Sequence, residues 1–527
     1  MKMKKGTVML LALLLVITVV LTACGGNNTS NTDNVSTSGD KAANSAQTDN
    51  AAAKNADSGK PIAISFFASG TGMPAKNEDF ILKELNERIN MDLDFNVAAT
   101  EYEQQLNVKI AGGSAPDLFA VTKNQLQNYV KQGILLDLGK YLDQMPNVKE
   151  RLSEDALNKG KVDGVLYAIP KRAYLPMSSY WIRKDWLDKL KLEVPSTVED
   201  FMNVAKAFTE GDPDGNNKKD TYGITGSGIG SPDSVNGPAT FDPVFSAFGV
   251  PTPGLFYIKD GEAAYSTSQP EMKEALKYIH EMISAGYVDP EFMTNKGLKH
   301  QEKAFMGQAG IVYLNWGEMV KDNYVEQYKA INPDAEWIQL PALTGPGGTY
   351  QGNFDIGSTG GRYAVSIGLE KEPEKLKKVL EYIDYVTGDE GGHLVMYGIE
   401  GEHYNVVDGK VVATDRSSET SYAFNHQLTG RDELNYLKTK FDKQQSYVTF
   451  AAEQPRINTF NEFIPIPDGI SVNDKTRYES EEVSKFIHGQ RSFDEYETFV
   501  TKLMNDFKVT IYLDQAKATL KELGYIN

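Results

Sequence analysis

Short apolar runs of strand length alternate with amphipathic helical stretches from Pro61 onward, and this alternation constrains the fold more than any other feature of the chain. Pro61 to Phe67 is a compact apolar run, followed by the loop Ala68 to Gly72. Phe80, Ile81, Leu85 and Ile89 then recur at helical spacing, and Leu93 to Val97 alternates as a strand. Leu106 to Ala111, stopped by Gly112-Gly113, predicts a second helix, and Pro116 to Val121 another buried strand. Leu126, Tyr129 and Val130 predict a third helix, ended by Gly133, before Leu135 and Leu138 lead into Tyr141-Leu142. Strand, helix, strand in this order predicts an α/β fold on a parallel sheet. In such sheets ligands sit beyond the carboxyl ends of the strands, which singles out Ser69, Gly70, Thr122 and Asn124.

Ahead of this pattern, Met1 to Cys24 reads as a secretory leader. Lys2, Lys4 and Lys5 give a positive start, Val8 to Leu21 an apolar run interrupted by Thr18 alone, and Leu21-Thr22-Ala23-Cys24 a small-residue cleavage site ending in cysteine. The apolar run falls short of the ~20 residues a spanning helix needs. It resembles a bacterial lipoprotein signal peptide, residues 1–23, whose lipobox places diacylglycerol on Cys24. Cys24 is the single cysteine, so an intrachain disulfide is excluded. Acyl chains at Cys24 would hold the mature protein on the outer face of the cell membrane. Residues 24–60 are dominated by Gly, Asn, Ser, Thr, Asp and Ala without an aromatic, a composition that cannot offset its ordering entropy, and are expected to form a disordered tether.

Residues 61–527 are too many for one hydrophobic core, so two large lobes are expected. Nothing after Leu21 is long and apolar enough to span a bilayer as a helix. The formal net charge of −18 argues against nucleic acid and against anionic lipid headgroups as partners.

Several segments carry a family resemblance. Leu106 to Phe119, Gly133 to Leu138 and Val162 to Pro170 resemble blocks of the family 1 extracellular solute-binding proteins. Tyr180 to Leu190, with Val194 to Thr197, is similar to the large lipoprotein sugar-binding components of Gram-positive bacteria, and Lys303 to Gly310 and Tyr397 to Tyr404 extend the likeness. The resemblance implies a two-lobed, periplasmic-binding-protein-like α/β fold, each lobe a mixed sheet flanked by helices, closing on a ligand. Laid on this chain, it assigns 61–170 and 309–368 to an N-lobe, and 171–308 and 369–527 to a C-lobe. Val483, Phe486, Ile487, Phe499, Leu503 and Leu520 recur at helical spacings, predicting a C-terminal helical extension.

Sugar rings stack on aromatic faces while their hydroxyls bond to polar neighbours. By position in the matched blocks, the resemblance nominates Tyr174, Tyr180 and Trp181 beside a hinge at Pro170 to Tyr174, Trp316, and Arg362 with Tyr363. It adds the polar-aromatic cluster Tyr397, Glu400, Glu402, His403 and Tyr404. Trp186, spaced from Ile182 and Leu190 as on a helix, reads as core, Arg183 and Lys184 beside Asp185 as helix decoration, and Asp355 as a partner across its own loop.

Asp212-Pro-Asp214-Gly-Asn216-Asn-Lys218-Lys-Asp220 places oxygens at alternate positions of a turn-rich loop, with the Lys218 carbonyl available between them. That donor set suits the hard, about six- to eight-coordinate calcium ion in a structural role. The glycine stands at the fourth rather than the sixth position and Gly223 at the twelfth, so the loop departs from the hand-shaped calcium loop. It more closely resembles that of alginate-oligosaccharide-binding proteins, where an acid stands at the place of Thr221, leaving the sixth ligand open.

No HExxH, GxSxG elbow or P-loop is present, the histidines are scattered, and Gly226 to Gly230 lacks the full dinucleotide fingerprint. The expectation is therefore not an enzyme but a lipid-anchored, monomeric protein that takes a carbohydrate, an oligosaccharide above all, between its lobes and delivers it to the permease of an ABC importer. The alternative is a cell-surface glycosidase or lyase, which needs only two acids among many.

Overall fold

Along Ile62–Ser69, Ile64 and Phe66 turn to one face and Phe67 to the other, and both faces are covered. The computed structural model describes residues 59–173, 175–228 and 240–527, and these described residues form one compact unit. The leader, Cys24, nearly all of the tether, Tyr174 and residues 229–239 lie outside the described residues.

A first sheet runs in the order Met91–Ala98, Ile62–Ser69, Leu118–Ala120, Arg362–Val365, Ala168–Pro170. Its first three strands are parallel, with Ile62 opposite Met91 and Phe66 opposite Leu118. Arg362–Val365 enters antiparallel between Leu118–Ala120 and Ala168–Pro170, pairing Tyr363 with Ala120 and Arg362 with Pro170. Ile64, Phe66, Leu93, Leu118 and Val365 build one core with the helices Phe80–Arg88 and Pro373–Thr387, and Phe67, Phe119 and Ala364 a second on the opposite face.

A second sheet has the order Trp337–Gln339, Ser178–Arg183, Ala309–Asn315, Tyr222–Thr225, with Trp181 opposite Val312. One face packs on the helices Val198–Glu210, Pro270–Ser284 and Val472–Ile487, and Val483, Phe486, Ile487, Phe499, Leu503 and Leu520 all lie in that core. The other face is covered by Glu433–Lys440 and Gln445–Glu453. A third sheet, Glu262–Tyr265, Phe256–Lys259, Ile457–Thr459, Asn353–Asp355, shares the larger core through Phe256, Ala263 and Tyr265.

The outcome is a two-lobed α/β architecture, and two of the expected segment assignments need correction. Ala309–Asn315 does not return to the N-lobe, because its backbone hydrogen bonds go to Ser178–Arg183 and Tyr222–Thr225. The chain rejoins the first sheet only at Arg362, and Pro373–Thr387 packs there through Val379, Leu380 and Ile383 instead of starting the C-lobe. An apolar run specifies burial on both faces and leaves the choice of sheet to long-range pairing.

Candidate functional site

The carboxyl ends of the first sheet's parallel strands meet three passages of chain between the sheets: Pro170 to Ser178, Asp355 to Arg362, and Leu428 to Glu433. Backbone bonds tie these passages to one another. Lys171 N donates to Gly361 O at 2.8 Å and Arg172 N to Thr429 O at 3.0 Å. Gly430 has φ +76°, and a Cβ there would lie 3.1 Å from Arg172 N, so the close approach needs glycine.

Between the first and third passages lies a cavity of about 210 Å³ lined by Lys171, Arg172, Phe424, Arg431, Glu433 and Tyr436 among others. Lys171 is 5% exposed, and its ammonium donates to Phe424 O at 3.1 Å. Burial, with Arg431 nearby, pushes its pKa down to about 8. Arg431 is fixed: its guanidinium lies 3.4 Å from the Tyr436 ring centre and donates from Nε and Nη2 to Glu433 at 2.8 and 3.2 Å.

Beyond Arg362 opens a larger cavity of about 710 Å³, lined by Lys123, Lys159, Arg362, Glu462 and Phe463 together with residues of the C-terminal helix Val509–Glu522. Arg362 donates to Lys159 O at 2.7 Å and to Glu462 Oε2 at 3.0 Å. Lys123 donates to Asn461 O at 2.6 Å, and burial lowers its pKa to about 8. Asp355 accepts from Gly357 N at 2.8 Å and Glu462 N at 3.0 Å, yet burial raises it to about 6. These charges join the first sheet to the third.

The nominated residues fall into several groups. Ser69 is exposed at its strand end and Asn124 is exposed in the first turn of the helix Lys123–Lys131. Thr122 is occupied as the N-cap of Lys123–Lys131, its hydroxyl accepting from Gln125 N at 3.2 Å. Arg362 is buried but lines the larger cavity. Tyr180, Trp181, Trp316 and Tyr363 are corrected to core. Tyr180 and Trp181 have no exposed surface, since Ser178–Arg183 is an interior strand whose two faces feed two cores. Trp316 packs its ring 5.1 Å from that of Phe441, and Tyr363 lies in the first core beside Phe66. Tyr397 and His403 border a space of about 20 Å³, room for about one water. The buried His403 stacks on Phe80 at 4.7 Å. Glu400 and Glu402 are exposed, and Glu402 pairs with Arg416 at 2.9 Å. Tyr174 lies outside the described residues. Lys123, Arg431, Tyr436 and Glu462 were not singled out by sequence, for no motif surrounds them; Asp355, set aside there, sits within the charged group.

The acidic loop spans the helix Val198–Glu210 and the edge strand Tyr222–Thr225. The Asn216 amide donates to Asp214 at 2.7 Å and to Asp220 at 3.1 and 3.2 Å, while Asn217 N donates to Asp212 Oδ2 at 3.1 Å. Asp212 Oδ1 is buried with no hydrogen-bond partner. The Asp214 carboxyl is raised above its ordinary value by partial burial and by Asp212 and Asp220. Among the described residues no cluster of three or more His, Cys, Asp or Glu side chains is arranged to hold a metal. The donor chemistry nonetheless suits a hard cation, with an orphaned carboxylate oxygen and two carboxylates gathered on one amide.

A family model described as bacterial extracellular solute-binding protein matches residues 81–391. The chain is 28% identical over 345 residues to the polygalacturonan/rhamnogalacturonan-binding protein YtcQ of Bacillus subtilis (strain 168), covering 64% of this chain and 66% of that protein. It thus spans about two thirds of that relative's length. Among solved structures, the S. pneumoniae ABC-transporter substrate binding protein FusA in complex with kestose aligns with TM-score 0.65 at 19% identity, over 88% of this chain and 99% of FusA. The alginate-binding protein AlgQ2, solved without calcium ion, aligns with TM-score 0.64 at 19% identity over 88% and 98%.

Proposed function

Because this chain belongs to the bacterial extracellular solute-binding proteins, we propose that it captures a saccharide, an oligosaccharide in particular, between its two lobes and delivers it to the permease of an ABC importer. Family membership makes it a binding protein and not an enzyme. The observation that carries the saccharide reading is the pair of polar, charge-lined cavities at the carboxyl ends of the first sheet, beside the passages on which the lobes would move. The substrates named for YtcQ and FusA, both saccharides, support it. Ligand contacts from both lobes favour the closed form over the open one. In this proposal one lobe holds the first sheet with its helices and the other the second and third sheets.

The lipobox at Cys24 supports anchoring to the outer face of the cell membrane. Among the described residues no helix is long and apolar enough to cross a membrane. For Asp212, Asp214, Asn216, the Lys218 carbonyl and Asp220 we propose a structural calcium ion, supported by the orphaned Asp212 oxygen and by a fold neighbour, FusA, that has been solved as an EF-hand mutant.

A thermal-shift screen over neutral and acidic oligosaccharides tests the main reading. A ligand present at about 100 times its Kd adds about 2.7 kcal/mol of stability. Stabilisation by peptides with none by any saccharide would overturn the substrate class.

A further inference from the structure

The smaller cavity holds more positive charge than its own acids balance. Lys171, Arg172 and Arg431 line it, and Glu433 is the one acid among its lining residues. Glu433 is engaged by both Nε and Nη2 of Arg431, so the pair is internally neutral. Arg172 is exposed and spends Nη2 on Arg151 O at 2.7 Å. Lys171 is left 95% buried, and the one hydrogen-bond acceptor of its ammonium among the described residues is the Phe424 carbonyl. A buried ammonium with no carboxylate in hydrogen-bond reach is costly, and burial together with Arg431 outweighs the attraction of Glu433, so its proton affinity falls. The charge the fold omits is one the ligand can bring.

We propose that this cavity is a subsite for the carboxylate of an acidic sugar, a uronate residue within a longer chain, with Lys171 as its buried counter-charge and Arg172 at its mouth. The inference rests on the saccharide reading above. The volume of about 210 Å³ is below the roughly 300 Å³ at which pockets for whole ligands begin, so the subsite takes one unit and the rest of the chain runs outside it. Rigidity favours specificity: Arg431 is clamped on Tyr436 and Glu433, and Gly430 presses the third passage onto Arg172. Little reorganisation is left for binding.

Calorimetric titration and melting of the purified protein with four probes decide the matter: trigalacturonate, its methyl ester, a neutral fructose trisaccharide and inorganic sulfate. A charge-assisted hydrogen bond to a buried ammonium should make trigalacturonate bind about 10- to 100-fold tighter than its ester. In Lys171→Met that ratio should fall toward one, while the unliganded variant melts no lower than wild type, since an unbalanced charge has been removed. Equal affinity for acid and ester overturns the subsite, as does sulfate shifting the melt as far as trigalacturonate. Should the variant fail to fold, the wild-type ratio alone decides. Binding of the neutral trisaccharide only would remove the subsite and leave the saccharide reading standing; binding of no saccharide would remove both.

Discussion

Trp181 shows how strongly a single side chain can be committed to packing. Its indole has no exposed surface, donates Nε1–H to Leu314 O at 3.3 Å and lies among Trp316, Val312 and Trp337. Truncation to alanine should cost about 3–5 kcal/mol, read as a lower urea midpoint, with saccharide affinity in the folded fraction changed little. Unchanged stability with lost binding would return Trp181 to the cleft. Asp355 makes the opposite case, a half-buried group whose charge the fold tolerates poorly. Burial first, and then the neighbouring Glu462, raise its pKa from 3.8 to about 6 against the pull of Lys123 and of two backbone N–H donors; Arg362 and Lys159 lie in the same cluster. An acid with a raised folded pKa contributes stability that is complete below 3.8 and is lost as pH rises through about 6. The stability of Asp355→Asn relative to wild type should therefore improve, by on the order of 1–3 kcal/mol, between pH 4 and pH 7. Urea unfolding at each pH checks this, and a constant difference would show that Asp355 does not titrate in that range.

At the scale of elements, the helix Phe80–Arg88 is pinned by what caps it. Asp79 accepts from Leu82 N at 2.8 Å, from the Tyr422 hydroxyl at 2.9 Å and lies 3.1 Å from His426 Nε2, all buried. Burial opposes its charge, but the His426 contact and these bonds hold the carboxyl below its ordinary value. Asp79→Ala removes a cap and strands buried partners, so a loss of about 3–5 kcal/mol is expected in thermal or urea unfolding. A loss under about 1 kcal/mol would mean that the segment 422–426 is held by its apolar contacts. The sequence displayed this helix, its flanking strands and the C-terminal helices through spacing, since periodicity is a local property. It did not display that Arg362–Val365 would insert between Leu118–Ala120 and Ala168–Pro170, or that Ala309–Asn315 would pair with Ser178–Arg183. Those pairings are decided by partners far along the chain. The site suffered likewise: Ser69 and Asn124, read from strand ends, line neither cavity, whereas Lys171, Arg431 and Tyr436 meet only after distant passages converge. Aromatic residues in Ser178–Arg183 misled because a strand buried on both faces looks as aromatic as a binding edge.

The whole molecule holds its cores in separate lobes, and this separates what a ligand does from what a structural ion does. A saccharide touching both lobes acts on their mutual arrangement, so it should contract the protein in small-angle scattering as well as raise its melting temperature. The acidic loop sits elsewhere, between Val198–Glu210 and the edge strand of the second sheet, with Lys189 Nζ donating to Pro213 O at 2.7 Å. An ion there would neutralise Asp212, Asp214 and Asp220 and fasten that edge without touching the first sheet. Removing calcium with a chelator should accordingly lower the melting temperature while leaving saccharide affinity within about threefold and the ligand-induced contraction intact, since sites that share no partners act nearly additively. Elemental analysis before and after chelation supplies the control. An unchanged melt with no metal in the untreated protein would leave the loop as a turn held by its own Asx hydrogen bonds. Loss of saccharide binding on chelation would instead place the loop's order upstream of lobe closure and refute the independence of the two sites.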